Sequence, residues 1–432
     1  MSRLNKKRSR RKIKRIKMKR LVLALTLLVS LSSMLLLRTY NIFEKSNDTV
    51  VKHESVETSK TVSSSKNPTK ININAVGDIM AHTPQLKAQY NSGDKTYDFN
   101  NNFQHVTPYI SNVDLSIANL ETTLAGPSTP YTSYPTFNTP DALVDALRDS
   151  GVDIISTINN HSFDKGNLGV ERTLEVCNSK GFETVGTIKN TSDNNYIIKE
   201  VSDIKLGITS FSYGELKNNT KYLNGIKISD KSKDKMNVFD MLNVDNAFNT
   251  IKEQLDNIKD TDLQILIIHW GSEYQRVPSE FQIKLSQMLC DYGVDIIIGS
   301  HPHVVQPVEM IKSSNGENET LVMYSLGNFI SNQRKELLNS SFTEDGLMVN
   351  IEVTKDFNKN KTYVSQVDCI PTWVNKYKKS GKDIYEIIPI YNKNEINNIE
   401  NLPINEVKIS YQNTISQIKQ SDIIKIPQNP FE

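Results

Sequence analysis

Cysteine is scarce. Cys177, Cys290 and Cys369 are the three in 432 residues. Their number and wide spacing exclude a disulfide framework and a cysteine-based zinc motif, and leave buried free thiols as the expectation. The sequence also lacks a Gly-rich nucleotide loop, a Gly-x-Ser-x-Gly elbow and a Cys–His nucleophile signature. Nucleotide cradling and serine or cysteine hydrolysis therefore have no visible machinery. Acidic side chains are missing from residues 1–20, which hold 12 Lys and Arg. Past Arg20, 39 Lys and Arg face 49 Asp and Glu, a net −10 behind the formal +2 of the whole chain. So acidic a body excludes general nucleic-acid binding.

What is present first is an apolar run. Leu21–Leu37 is broken only by Thr26 and three serines. As a helix it spans about 26 Å, just short of a hydrocarbon core of about 30 Å. Arg38-Thr39-Tyr40 follows in place of a small-x-small cleavage site, which predicts a signal anchor over a cleaved signal peptide. The positive flank places tail 1–20 in the cytoplasm and the body outside, as a single-pass protein of the cell membrane. Residues 44–70, rich in Ser, Thr, Lys and Asn, read as a disordered stalk. The folded domain is expected over 71–391, with the Asn- and Lys-rich stretch 392–432 as an appendage.

Within the domain, short apolar runs alternate with helical patterns. Strands are predicted at Ile71–Val76, Val113–Ala118, Val152–Ile158, Lys205–Phe211, Leu263–Ile268, Val294–Ile298 and Leu321–Leu326. Helices are predicted at Asp141–Asp149, Leu168–Lys180, Val244–Ile258 and Pro278–Tyr292. That alternation gives an α/β fold with largely parallel pairing, followed by strand-like segments at Leu347–Val353 and Thr362–Ile370.

Five of the strands end in metal-ligand residue types: Asp78, Glu121, Asn160 with His161, His269, and His301 with His303. Four of only seven histidines lie at such ends. Ligands gather at the C-terminal ends of strands in α/β sheets. His301 and His303, two apart in a chain read as extended, are expected to point the same way. Carboxylates with imidazoles form a recipe for a metal-dependent hydrolytic site. Asp164 is placed to orient His161 or to begin a helix. Asn119, Trp270, Glu273, Tyr274 and Asn328 are candidate substrate contacts, with packing the alternative for Trp270. Pro127–Phe137 reads as a loop on the rim.

Six blocks in order carry a resemblance: Gly77-Asp78-Ile79-Met80, Asn119-Leu120-Glu121, Asn159-Asn160-His161, His269-Trp270-Gly271, Gly299-Ser300-His301-Pro302-His303-Val304 and Tyr324-Ser325-Leu326-Gly327-Asn328-Phe329. Over roughly 71–330 the chain resembles the CapA/PgsA capsule-synthesis proteins, membrane-anchored bacterial proteins of poly-γ-glutamate synthesis with a metallophosphatase-like domain. The resemblance implies a four-layer sandwich of two facing mixed sheets flanked by helices. The calcineurin-like metallophosphoesterases are more distantly similar. That likeness implies Asp78, Glu121, Asn160, His269, His301 and His303 as ligands of one or two divalent ions (Mn, Fe or Zn), with His161 catalytic. Two departures stand out. Met80 occupies the position of a usual histidine ligand, to be made good by His82 or water, and Asn119-Leu120-Glu121 replaces a Gly-Asp pair.

These readings imply an extracellular component of poly-γ-glutamate or related envelope-polymer assembly, tethered to the membrane. The expected partners are the membrane subunits of the polymer synthase and an anionic polymer or phosphorylated envelope substrate, with no nucleic acid. An active phosphoesterase and a non-catalytic scaffold are the alternatives.

Overall fold

The computed structural model describes residues 66–432 apart from Asn219 and Asn339. The tail 1–20, the expected spanning segment 21–37 and residues 44–65 of the expected stalk 44–70 lie outside those residues. Among the described residues no helix is long and apolar enough to cross a membrane.

Two nine-stranded mixed sheets form among the described residues. The first runs in the order Lys382–Pro389, Lys361–Lys379, Asp345–Asp356, Thr69–Ile79, Leu115–Leu120, Ile154–Ser156 and Glu183–Val185, with Asn328–Ile330 also on the Thr69 strand. The second is centred on Ile204–Lys217, Leu263–His269, Ile296–Ser300 and Glu319–Met323, all parallel.

Alternation along each strand sorts side chains onto two faces. Ile73, Leu115, Ile117 and Ile154 of the first sheet share one buried layer with Ile208, Ile265, Ile267, Ile296 and Ile298 of the second. The opposite residues, Ala118, Leu120 and Ile155, pack on Leu143, Leu147 and Val176 of helices Ala142–Asp149 and Gly166–Ser179. On the other side, Leu266, Ile268 and Ile297 meet Ile251, Leu255, Leu285 and Leu289 of helices Val244–Ile258 and Glu280–Tyr292. The layers are thus helix, sheet, sheet, helix. Each fully buried aliphatic side chain contributes about 1.5–3 kcal/mol. The Glu280–Tyr292 helix shows how sequence sets its ends. Ser279 and Gln282 form a capping box, and Gly293 closes it at φ 110° with its N–H on the Leu289 and Cys290 carbonyls.

The expected boundaries move at both ends. The first strand begins at Thr69, inside the expected stalk, and Lys66 reaches Asp203 at 2.8 Å. The stretch 392–432 is no appendage. Ile424–Lys425 joins the first sheet beside Val367, and Ile418 bridges to Val308 of the second. Ile418 and Ile424 both enter the layer between the sheets. The three cysteines are free and buried, as expected.

Candidate metal centre

The strand Thr69–Ile79 carries a bulge that aims Asp78. Its register on the Leu115 strand shifts between Ala75 and Asp78. One extra residue reverses which face the following side chains occupy. Ala75 therefore points between the sheets, Ile79 toward the helices, and Asp78 back between the sheets. Gly77 permits this, because a Cβ there would lie 2.0 Å from the Gly327 carbonyl oxygen. Asn119 and Glu121 follow Ile117 in strict alternation and face the same crevice. From the second sheet, His269 follows Ile265 and Ile267 inward by the same rule.

The chain at His301 and His303 is not extended. Both adopt positive φ, 97° and 57°, a backbone region that non-glycine residues rarely enter and that clusters at functional sites. The expected convergence survives by this different geometry. Their ring centroids lie 5.9 Å apart, and His301 lies 4.8 Å from His269. The turn also places the His301 amide 3.3 Å from Asp78 Oδ2.

Two donor groups result, each with ligand atoms within 4.8 Å of one another: Glu121, His301 and His303, and Asp78, Glu121 and His269. Glu121 belongs to both, the place of a carboxylate shared between two positions. Asn160 Oδ1 lies 3.0 Å from His269 Nε2 and joins the second group. Hydrogen bonds fix the imidazoles. His303 Nδ1 faces Asn328 Oδ1 at 3.1 Å and Asp78 Oδ2 at 3.2 Å, so Nδ1 carries the proton and Nε2 turns to Glu121, 3.7 Å away. His269 Nδ1 meets Ser300 Oγ at 2.8 Å.

The electrostatics favour a cation here. Both Glu121 oxygens and His301 Nδ1 are buried without a hydrogen-bond partner, an arrangement that costs free energy unless something else satisfies them. Burial and the adjacent Asp78 carboxylate push the Glu121 pKa well above the usual range. Neither carboxylate can donate to the other while both are ionised. Burial, then neighbouring imidazoles, hold His269 and His301 below the usual imidazole range and hence neutral. Neutral imidazoles and crowded carboxylates are compatible with a divalent cation.

His161 stands beside this set. Its Nδ1 meets Asp164 Oδ2 at 2.7 Å, and the same oxygen accepts from the Phe137 amide at 2.6 Å. The Phe137 ring packs edge-on to His161 at 4.7 Å. Asp164 is therefore a positioning residue, and the helix begins two residues later at Gly166.

A profile for bacterial capsule synthesis protein PGA_cap matches residues 72–333. The chain belongs to that family. Among relatives of the PGA_cap chain, "Capsule biosynthesis protein CapA" of Bacillus anthracis is 27% identical over 272 residues, 61% of this chain and 60% of that one. "PGA biosynthesis protein CapA" of Bacillus subtilis is 29% identical over 265 residues, 60% and 62%. The match thus spans about three fifths of each relative's length. Among solved structures, a novel phosphatase of Mycoplasma pneumoniae overlaps with a TM-score of 0.40 at 16% identity, covering 70% of this chain and 93% of that one. TT1561 of Thermus thermophilus overlaps at 0.33 and 10%, covering 68% and 98%. These two overlaps add nothing to the architecture described above.

The PGA_cap site differs from the expected one in its outer residues. Trp270 does not reach the crevice. It is fully buried among the helix-facing side chains, with Nε1 donating to the Tyr324 carbonyl at 2.9 Å, because it follows His269 on the alternate face. Asn328 is fully buried and contacts no open space; it holds His303. Asn119 donates to Asp78 at 2.8 Å and accepts from Asn159 at 3.2 Å, so it too positions a ligand. Tyr274 is half-buried, its ring 6.3 Å from that of His303, and Glu273 beside it is exposed. His82 belongs to neither donor group; its Nδ1 takes the Asn332 amide at 3.2 Å and approaches Gln85. Sequence reasoning missed Tyr213, whose ring lies parallel to His269 at 6.2 Å and tilted 4.6 Å from His301. The available signal was its position two residues past the expected end of the strand Lys205–Phe211, which pairs with the His269 strand.

Proposed function

We propose that this chain is a membrane-tethered, extracellular component of poly-γ-glutamate or related envelope-polymer assembly that performs metal-dependent hydrolysis at the crevice between its sheets. Membership of the PGA_cap family and the capsule names of its relatives support the polymer. The basic tail and apolar segment 21–37 support the tether. Membrane subunits of the synthase would be its partners. The observation that carries the hydrolytic reading is the unpartnered Glu121 carboxylate shared by two buried donor groups drawn from both sheets.

Asp78, Glu121, Asn160, His269, His301 and His303 would hold one or two ions, Mn, Fe or Zn by their mixed N and O donors. A bound divalent ion supplies Lewis acidity toward a phosphoryl or acyl oxygen. The chain does the rest. Asp164 accepts the Nδ1 proton of His161 and supports the imidazolium, whose Nε2–H gives its proton to the leaving group and leaves the neutral ring. Tyr274 and Glu273 line the mouth, where substrate enters.

Glu121→Ala with His301→Ala tests the reading. Metal content by elemental analysis, aryl-phosphate turnover with added Mn²⁺, and polymer yield in a capsule-forming host should all fall together. Normal polymer yield with both ligands lost would make the metal irrelevant. Loss of yield on replacing segment 21–37 with an unrelated anchor would instead favour a scaffold that grips the synthase.

A further inference from the structure

We propose that a basic, tyrosine-lined groove beside the candidate centre binds a polycarboxylate chain, an inference that rests on the polymer reading above. Two adjoining cavities, of about 290 and 380 Å³, share Lys87 on the helix Thr83–Gln89. The first is lined by Thr83, Leu86, Tyr90, Tyr97 and Tyr131. The second adds Lys378 and Lys382 from the hairpin between Lys361–Lys379 and Lys382–Pro389. Three lysines line the pair of cavities against one carboxylate, Asp383, which Lys376 and Lys378 approach at 3.9 and 4.0 Å, while Lys382 donates to the Tyr90 carbonyl at 3.1 Å.

A packed row of rings links the inner end of the groove to the centre. Thr83 follows His82, which packs edge-on to Phe137 at 5.3 Å, and Phe137 packs on His161. Thr83 Oγ1 also meets Ser133 of the rim loop at 2.8 Å. From Thr83 to Lys87 the helix advances about 6 Å, so the groove runs along it from Thr83 to the lysines.

Its chemistry selects a chain with repeated carboxylates. The exposed Lys87, Lys378 and Lys382 are point charges on flexible stems, suited to a series of carboxylates with no fixed spacing. The tyrosines form a row with ring centroids 5.1 and 5.4 Å apart. Their faces cover methylene and peptide groups, and their hydroxyls serve amide carbonyls. Everything after Arg20 carries a net −10, so a polyanion is repelled by most of the surface and admitted where lysines cluster.

The test uses full-length protein in detergent and a synthetic γ-linked glutamate oligomer, with binding measured across a tenfold range of salt. Wild type should bind with strong salt dependence. Lys87→Gln, Lys378→Gln and Lys382→Gln together should weaken binding about tenfold or more and flatten that dependence, while metal content and Tm stay at wild-type values. Equal binding by the triple variant overturns the proposal, as does tighter binding of a polyphosphate of matched length. Wild-type protein that holds metal yet ignores the oligomer overturns the groove alone and leaves the metal reading standing.

Discussion

Replacing Glu121 by Gln keeps the shape of the side chain and removes its charge. In the metal-free protein this carboxylate is fully buried, its oxygens have no partner, and Asp78 lies beside it. Such a group costs several kcal/mol while ionised, and taking up a proton reduces that cost. Its folded pKa is raised, so between the ordinary carboxylate value and the raised one the folded chain holds a proton that the unfolded chain has released. Metal-free stability is therefore greatest in acid and declines as pH rises through that window. Glutamine abolishes the decline. At neutral pH, metal-free Glu121→Gln should exceed metal-free wild type by about 1–3 kcal/mol. With metal the gap narrows. A cation at about 1,000 times its Kd stabilises by about 4.1 kcal/mol. Loss of the shared ligand should weaken affinity by at least the roughly 10–100-fold typical of residues that merely support ligands, removing about 1.4–2.8 kcal/mol of that gain. Thermal unfolding in EDTA and in Mn²⁺, from pH 5 to 8, reads both effects. The reasoning fails if EDTA leaves the wild-type Tm unchanged, or if the variant in EDTA is the less stable protein.

Three further outcomes are expected. Asp164→Asn should cut turnover by about 10²–10⁴-fold by freeing the His161 proton, with metal content unchanged by elemental analysis. Asn328→Ala removes a buried partner of His303 and should lower metal affinity about 10–100-fold in a chelator competition. Ile424→Ala in the inter-sheet core should cost about 2–5 kcal/mol by denaturant unfolding; a surface appendage would lose almost nothing.

Much of this was legible in sequence because apolar runs and their bounding residues report strands directly. The helix Val244–Ile258 forms with the expected limits, and the Leu263 strand ends one residue beyond its expected end, at His269. Six expected donors meet because their strands end at one edge of the sandwich. The bulge at Gly77 was not legible, since it depends on a carbonyl some 250 residues away. Nor were the positive φ angles of His301 and His303, which tertiary contacts impose. Trp270 takes the packing alternative, because alternation denies His269 and Trp270 a shared face. The final strand was passed over because Ile423-Ile424-Lys425-Ile426 is short and sits in polar surroundings, and only its partner Val367 gives it a face to bury.

The strand that delivers Asp78 lies between two others, and Ile73 pairs with both Leu115 and Ile351. At about 5–20 residues per second of synthesis, the later neighbour emerges roughly 12–50 s after the earlier one. Over that interval the Ile73 edge of the sheet stays open while the strands that lead to His269 and His301 are still being made. Cation capture must then follow closure of the sandwich, unlike in small domains that fold around their ion. The ion would enter a finished cradle, and chelation should empty the cradle while the sheets stay ordered.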